Sequence, residues 1–291
     1  MKHNNNKSSI FNLSDRLMPK LKYADAFALL YNRLESREAF ALARFGAVEI
    51  KAVIYGLLPW PLCLLLQPYV FRHIGNNAGF FPVERKSLRR FARLMLQAMK
   101  DVDVLVSWRL EEFLFRKRLR HCQLFKRSTM GFVGGRYIWS GLLESKRVLV
   151  VHPFADTIRR QYEKNREHIW PGRKVLPEFK ELITIKAVQS VAGNKTEFAT
   201  WFDALEYMER EIDAQDFDVA LIACGAYGFP LAAHVKRTGR KAIHIGGSLQ
   251  LLFGIKGKRW DDKGFYNEYW VSPSEAERPG RFEKVEGGCY W

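Results

Sequence analysis

The stretch from Val219 to Gly247, VALIACGAYGFPLAAHVKRTGRKAIHIGG, constrains the fold more than any other part of the chain. Its apolar run, Val219 to Ala223, follows Asp218 and stops at a glycine loop, the pattern of a strand buried on both faces. Gly225 and Gly228 bracket a tight turn, and Pro230 stands where a first helical residue would, its φ already set. The helical pattern runs to Thr238 and ends at Gly239, a natural residue just past a helix. A second apolar run, Ala242 to Ile245, ends in Gly246, Gly247 and Ser248, with Ser248 placed as a helix N-cap. Strand, glycine loop, helix, strand, glycine loop is a βαβ unit whose two loops open on one edge of a parallel sheet. Backbone N–H groups at such turns can seat a phosphate or another anion. The plainer alternative is that the glycines only let helix and strand pack closely.

The rest of the chain repeats this alternation. Tyr23 to Arg37 reads as an amphipathic helix, Phe40 to Phe45 as a strand broken at Gly46, and Val48 to Leu57 as a helix. Arg85 to Lys100 is a basic amphipathic helix, and Val102 to Val106 a strand that ends at Ser107 and Trp108. Val148 to Val151 and Leu182 to Val188 are further strands, each followed by a helical pattern, Thr157 to His168 and Glu197 to Ala214. This predicts a single doubly wound α/β sheet, Rossmann-like and mostly parallel, with helices on both faces. The expected organisation is a flexible basic tail over 1–20, the α/β domain over 21–260 and an aromatic C-terminal extension over 261–291 packed on it.

Ligands of such sheets bind outside the carboxyl ends of the strands. The strand-end residues are therefore the site candidates: Arg44, Gly46 and Glu49; Ser107 and Trp108; His152 and Asp156; Gln189; Gly225 to Gly228; Gly246 and Gly247. His152 and Asp156 could ligate a metal, but Pro153 lies between them, and a strand-end histidine more often serves in hydrogen bonding or the core. Glu49 could act as base or metal ligand, or simply favour the first turn of its helix.

The net charge of +16 predicts an anionic partner. Arg116, Lys117, Arg118, Arg120, Lys126 and Arg127 form a cluster dense enough for a phosphate or an acidic surface, although such runs are commonly solvated faces. Between Ile54 and Phe71 lie eighteen residues without a charge; Pro59, Pro61 and Pro68 would break a spanning helix. A buried core segment is the expectation, and an apolar lip entering a bilayer the alternative. The four cysteines are scattered, with neither a zinc pattern nor a disulfide framework. The N-terminus lacks the apolar segment of a signal peptide, which predicts a cytoplasmic protein, with the inner face of the cell membrane as a place of contact. The dinucleotide, P-loop and nucleophile-elbow glycine motifs are all absent. No zinc, helix-turn-helix or RNA-binding signature occurs either, so nucleic acid is not the expected partner.

Taken together, ALARFGAVEIKAV resembles the Arg-Phe-Gly-Asp-Gly-Glu segment of glycosyltransferases of the GT-D fold type. The segments NNAGFFP, VLVVHPFADTI, TIKAVQSVAG and GAYGFPLAAHVKRTGRKAIHIGG are similar, in order and spacing, to those of GT-D-like proteins of bacterial surface-polysaccharide synthesis. The resemblance spans about residues 25 to 260. It implies sugar transfer from a nucleotide-diphosphate donor to a glycan or lipid-linked acceptor, and it adds Asn77, Gly79, Tyr227 and His244 to the expected binding residues. The family's Asp-x-Glu pair serves donor and divalent metal; here the Asp position is Ala47, while Glu49 and Arg44 remain. A bound Mn²⁺ or Mg²⁺ would need ligands elsewhere, such as Asp156 or the donor phosphates. Otherwise transfer is metal-independent, and Arg44, with Lys186 or Arg259, offsets the leaving diphosphate while Glu49 or Asp156 serves as base. A non-catalytic protein that keeps the fold and the nucleotide site is the alternative that Ala47 raises.

Overall fold

The computed structural model describes residues 18–132 and 138–291. Seven strands form one sheet: β1 (Phe40–Ala43), β2 (Val104–Ser107), β3 (Gln123–Lys126), β4 (Arg147–His152), β5 (Glu181–Lys186), β6 (Val219–Ile222) and β7 (Lys241–His244). Their spatial order is β3-β2-β1-β7-β6-β4-β5, and every pairing is parallel. The chain winds outward from β1 to β3, crosses to β4 and β5, then returns inward through β6 and β7. All carboxyl ends therefore lie along one edge, and β1 and β7 become neighbours, with Leu42 opposite Ile243.

Side-chain alternation divides the core between the faces. Ala43, Leu105, Val151, Ile222 and Ala242 pack toward α2 (Ala47–Leu57), α3 (Gln67–Ala78), α4 (Arg85–Ala98), α6 (Trp201–Asp213) and α7 (Gly228–Arg237). Phe40, Leu42, Val106, Val150, Leu221 and Ile243 face α1 (Tyr23–Glu35), α5 (Ala155–Ile169) and C-terminal residues such as Phe253 and Trp270. All four residues of β1, β2 and β6 are buried, as central strands of a doubly covered sheet must be. The doubly wound sheet with helices on both faces is thus the observed fold, and its sheet is parallel throughout.

Several local expectations change. Gln123–Lys126 is an edge strand on β2, and its basic, half-polar composition hid it within the Arg/Lys cluster. Helix α3 begins with Pro68 in its first turn, where a missing N–H costs nothing, so proline starts this helix instead of breaking it. The uncharged segment 54–71 is a buried core segment only in part, with Tyr55 fully buried and Ile54, Leu58, Leu66 and Phe71 packed against the core. Cys63 and Val70 point inward, but Leu57, Trp60, Leu62, Leu64, Leu65 and Tyr69 are exposed. Ser248 does not cap a helix: it lies inside the 3₁₀ helix Gly246–Phe253, and its hydroxyl donates to the Ile245 carbonyl at 3.4 Å. Pro230 is the third residue of α7, not the first. The expected tail lies outside the described residues as far as residue 17; Met18 is buried, and the Leu21 N–H donates to Leu124 O on β3.

The C-terminal segment packs on the domain at several points. Val271 bridges to Ile255, Trp270 packs edge-on to Trp170, and Trp291 lies against Phe154. Its most consequential residue is Glu277, which is buried at the N-terminus of α5. One carboxylate oxygen accepts the N–H groups of Asp156 (2.8 Å) and Thr157 (3.2 Å); the other accepts the Thr157 and Ser274 hydroxyls. Burial works to raise the Glu277 pKa, but these donors outweigh it and hold it below the usual carboxylate range. The positive end of α5 is thus satisfied by the chain's own carboxylate.

Glu277→Ala removes these bonds at a buried site. It should lower unfolding free energy by about 2–4 kcal/mol in denaturant melts; a loss below about 0.5 kcal/mol would refute this account of the cap.

Candidate functional site

Arg44 leaves the sheet directly after β1. Its Nη1 donates to the Ile245 carbonyl at 3.0 Å, just past β7, which joins two strand ends 201 residues apart in the chain. Gly246 follows with φ at +69°, a region that favours glycine. That turn brings its backbone beside the Arg44 guanidinium: a β-carbon there would lie 3.5 Å from Cζ. At Gly247 a β-carbon would overlap the Tyr290 ring, so that ring closes directly over the loop.

Helix α2 starts at Ala47, and Glu49 stands in its first turn with its carboxylate folded back over Gly46. Arg44 and Glu49 each keep some solvent access, yet protein surrounds them on nearly every side. Burial raises the Glu49 pKa and Glu286 adds to this, while the N–H groups at the helix start and Arg44 pull it down; the outcome is a raised value. For Arg44, burial lowers the pKa, and Arg127 and Arg259 push the same way; Tyr290 and Glu49 oppose them.

Trp108 is the platform of this group. Its indole N–H donates to Phe45 O at 2.8 Å, and three guanidinium groups lie over the ring: Arg44 at 5.1 Å, Arg109 at 5.2 Å and Arg127 at 5.4 Å. Arg109 is paired with Glu111. Arg127 is exposed and makes no ion pair among the described residues. On the other side Arg259 bonds Tyr290 Oη at 3.2 Å and Glu286 at 2.6 Å. Burial disfavours the Arg259 charge, but Tyr290, Cys289 and Glu286 outweigh it and raise its pKa. Arg44, Arg127 and Arg259 thus face the carboxylates of Glu49 and Glu286, an excess of positive charge at the mouth of two adjacent strand ends.

The other sequence-predicted residues are placed differently. His244 is buried; its Nδ1–H donates to Ile222 O at 3.0 Å and its ring packs on Gly228. Burial lowers its pKa to about 4, so it is neutral near pH 7. His152 is buried too, its Nδ1 accepting the Phe154 N–H at 2.9 Å, with a pKa lowered by burial to about 3. Asp156 is exposed on the first turn of α5, beyond β4. By strand spacing β4 stands roughly 14 Å from β1, and the edge strand carrying Lys186 roughly 19 Å. Asp156 and Lys186 therefore do not join Arg44 and Glu49.

Asn77, Gly79, Gln189, Gly225 and Tyr227 meet in a second group. Gly79 ends α3, and its carbonyl accepts the Ser190 hydroxyl at 2.6 Å. Gly225 lies against the Ala78 carbonyl, and Tyr227 stacks on Trp201 at 4.8 Å inside the core. Asn77 and Gln189 are half-buried beside this seam. A cleft of about 530 Å³ opens next to it, lined by Phe71, Arg72, Asn76, Ser190, Lys195 and Phe198. Arg44 and Glu49 do not line it, and the concentration of positive charge around them favours their neighbourhood as the chemical centre.

Ser107 is buried in a network of its own. Its hydroxyl donates to Glu112 at 2.6 Å, and Glu112 also accepts the N–H groups of Trp108 (3.4 Å) and Arg109 (3.2 Å). This carboxyl holds the turn that presents Trp108. Among the described residues, no group of three or more His, Cys, Asp or Glu side chains is arranged to hold a metal ion.

Sequence reasoning missed Tyr290, Glu286 and the role of Glu112. The first two lie in the aromatic C-terminal segment, where no spacing pattern marks them. Arg127 was visible only as one member of a basic run.

No protein-family model and no curated protein matches this chain. A solved structure described as "Selenomethionine substituted structure of domain of unknown function 1792 (DUF1792)" is similar to it over 96% of this chain and 93% of that one, with 14% identity and a TM-score of 0.48. A likeness this remote carries no inference about activity.

Burial raises the Glu112 pKa to about 7, against 4.5 ordinarily. The folded state therefore binds a proton that the unfolded state releases. The resulting stability is present below about pH 4.5 and is lost as pH rises to about 7. Glu112→Gln should cancel this component, worth up to about 3 kcal/mol. The check is the difference between the two proteins' stability–pH curves, since His152 and His244 act in the opposite sense; parallel curves would refute it.

Proposed function

We propose that the chain is a glycosyltransferase that moves a sugar from a nucleoside-diphosphate donor to a hydroxyl of a glycan or lipid-linked acceptor of bacterial surface polysaccharide. The observation that carries the reading is the junction of Arg44 with the Gly246 turn, surrounded by Arg127 and Arg259. Guanidinium groups and turn N–H groups suit a diphosphate whose negative charge grows as the glycosidic bond breaks. The order of the resembling segments supports the same reading.

In this mechanism the acceptor oxygen attacks the anomeric carbon, and its proton passes to the Glu49 carboxylate. The bond from that carbon to the phosphate oxygen breaks, and the nucleoside diphosphate leaves toward Arg44 and Arg127. A raised pKa suits Glu49 to this role, because a base is most effective when its pKa approaches the working pH. Mn²⁺ or Mg²⁺ would help to neutralise the diphosphate. With Ala47 at the first position of α2, the donor phosphates would be its main ligands, which leaves the Glu49 carboxylate free to act as base.

Ala47 also favours a second reading, a sugar-nucleotide-binding protein without transfer. The two separate cleanly. A thermal-shift panel of nucleotide sugars, with and without Mn²⁺, should give a rise in Tm for one nucleotide class, since a ligand of the native state alone stabilises it. No rise with any donor would overturn both readings.

Glu49→Gln should lower kcat by about 10²–10⁴-fold with donor affinity nearly unchanged. Wild-type turnover should rise with pH through the raised Glu49 pKa, because only the carboxylate accepts the proton, and the variant should lack that limb. Donor binding with no turnover in the wild type selects the second reading; unchanged turnover in Glu49→Gln removes Glu49 from the mechanism.

A further inference from the structure

Six of the nine large apolar side chains exposed among the described residues fall between Leu57 and Tyr69. The turn Leu62–Leu65 sends only Cys63 inward, while Leu62 and Leu65, three residues apart in a 3₁₀ helix, share the outer side. Leu65 is 82% exposed and Trp60 59%. This is a convex apolar lip, and leaving it in water is unfavourable unless something covers it.

Its surroundings are basic. Between Lys51 and Lys100 the sequence has eight Lys or Arg residues and one acidic residue, Glu84. The Arg85 guanidinium lies 4.9 Å from the centre of the Trp60 ring, and the Lys51 ammonium 4.1 Å from that of Tyr69. Helix α4 buries Leu88, Phe91, Ala92 and Met95 and turns Lys86, Arg89 and Arg93 to solvent. Arg72, Lys86, Arg89 and Arg93 make no ion pair among the described residues.

We infer that this lip and the outer face of α4 dock the protein on an anionic lipid surface. Leucines on a convex turn enter a deformable acyl layer without needing a matching cavity. Trp60 and Tyr69, each under a cation, suit the interface, where aromatic rings sit below and cations at headgroup level. The unpaired arginines and lysines then meet lipid phosphates. A rigid protein partner would need a concave acidic surface to fit the same shape. No helix among the described residues is long and apolar enough to cross a membrane, and this mode of contact requires none. The docking does not rest on the glycosyltransferase reading.

The test is co-sedimentation of the full chain with vesicles of phosphatidylcholine, with and without phosphatidylglycerol, at low and high salt. Binding should require the anionic lipid and weaken with salt. The double variant Leu64→Ser, Leu65→Ser should reduce binding about tenfold or more, with an unchanged melting curve because both residues are exposed. Lys86→Gln, Arg89→Gln, Arg93→Gln should reduce binding and flatten its salt dependence. Glu49→Gln should bind vesicles as the wild type does, so a failure of the catalytic reading leaves this result intact. Absence of binding, equal binding by the lip variant, or a self-associated wild type that Leu65→Ser converts to monomer would each overturn the proposal, the last by assigning the lip to a second copy of the chain.

Discussion

The placement of β1 between β2 and β7 is the constraint on which the rest of the molecule depends. Phe40–Ala43 is only four residues long and is buried throughout. Its position in the middle of the sheet aligns residue 40 with residue 241. Because all pairings are parallel, the chain leaves β1 and β7 at the same edge and in the same direction. The Arg44 hydrogen bond to Ile245 follows from that geometry, as does the approach of the Gly246 turn to the Arg44 guanidinium. A one-residue slip would turn Phe40 and Leu42 toward the wrong face, so the core enforces the register that the Arg44–Ile245 contact needs.

The two halves of the sheet edge differ in how their polar groups are satisfied. Beyond β4, Glu277 occupies the N-terminus of α5, and His152 is engaged by a backbone N–H. Around β1, β2 and β7 the balance is reversed. Arg44, Arg127 and Arg259 outnumber Glu49 and Glu286 there, Trp108 carries three guanidinium groups, and Arg127 has no acidic partner among the described residues. Charge left unmatched within the protein is charge available to a ligand. The same logic applies to α4, whose apolar side is consumed by the core while its basic side is not.

Much of this was legible before the structure. Strands with continuous apolar runs, and helices with a clear buried stripe, lie within a few residues of where their patterns put them. What failed were segments whose local signal was overridden. Gln123–Lys126 pairs on one edge only, so it has no need of the apolar run that marks an inner strand. The segment 54–71 was read inward because it is apolar, yet burial requires a face to pack against, and Leu62–Leu65 has one only beneath Cys63. Arg44, Glu49 and the glycines of the last loop were legible as one group. Tyr290 and Glu286 were not, because only chain folding carries the C-terminal segment across Gly247.

The sequence by itself determined the α/β alternation, the strand-end location of any site and the excess of positive charge. These follow from periodicity, glycine placement and composition, all of which act locally or simply add up. Tertiary structure alone decided which strand ends are neighbours, which histidines are neutral, and which carboxylates are used up in holding the fold. Those depend on burial and on contacts between residues up to two hundred positions apart, and neither is written in any local stretch of the chain.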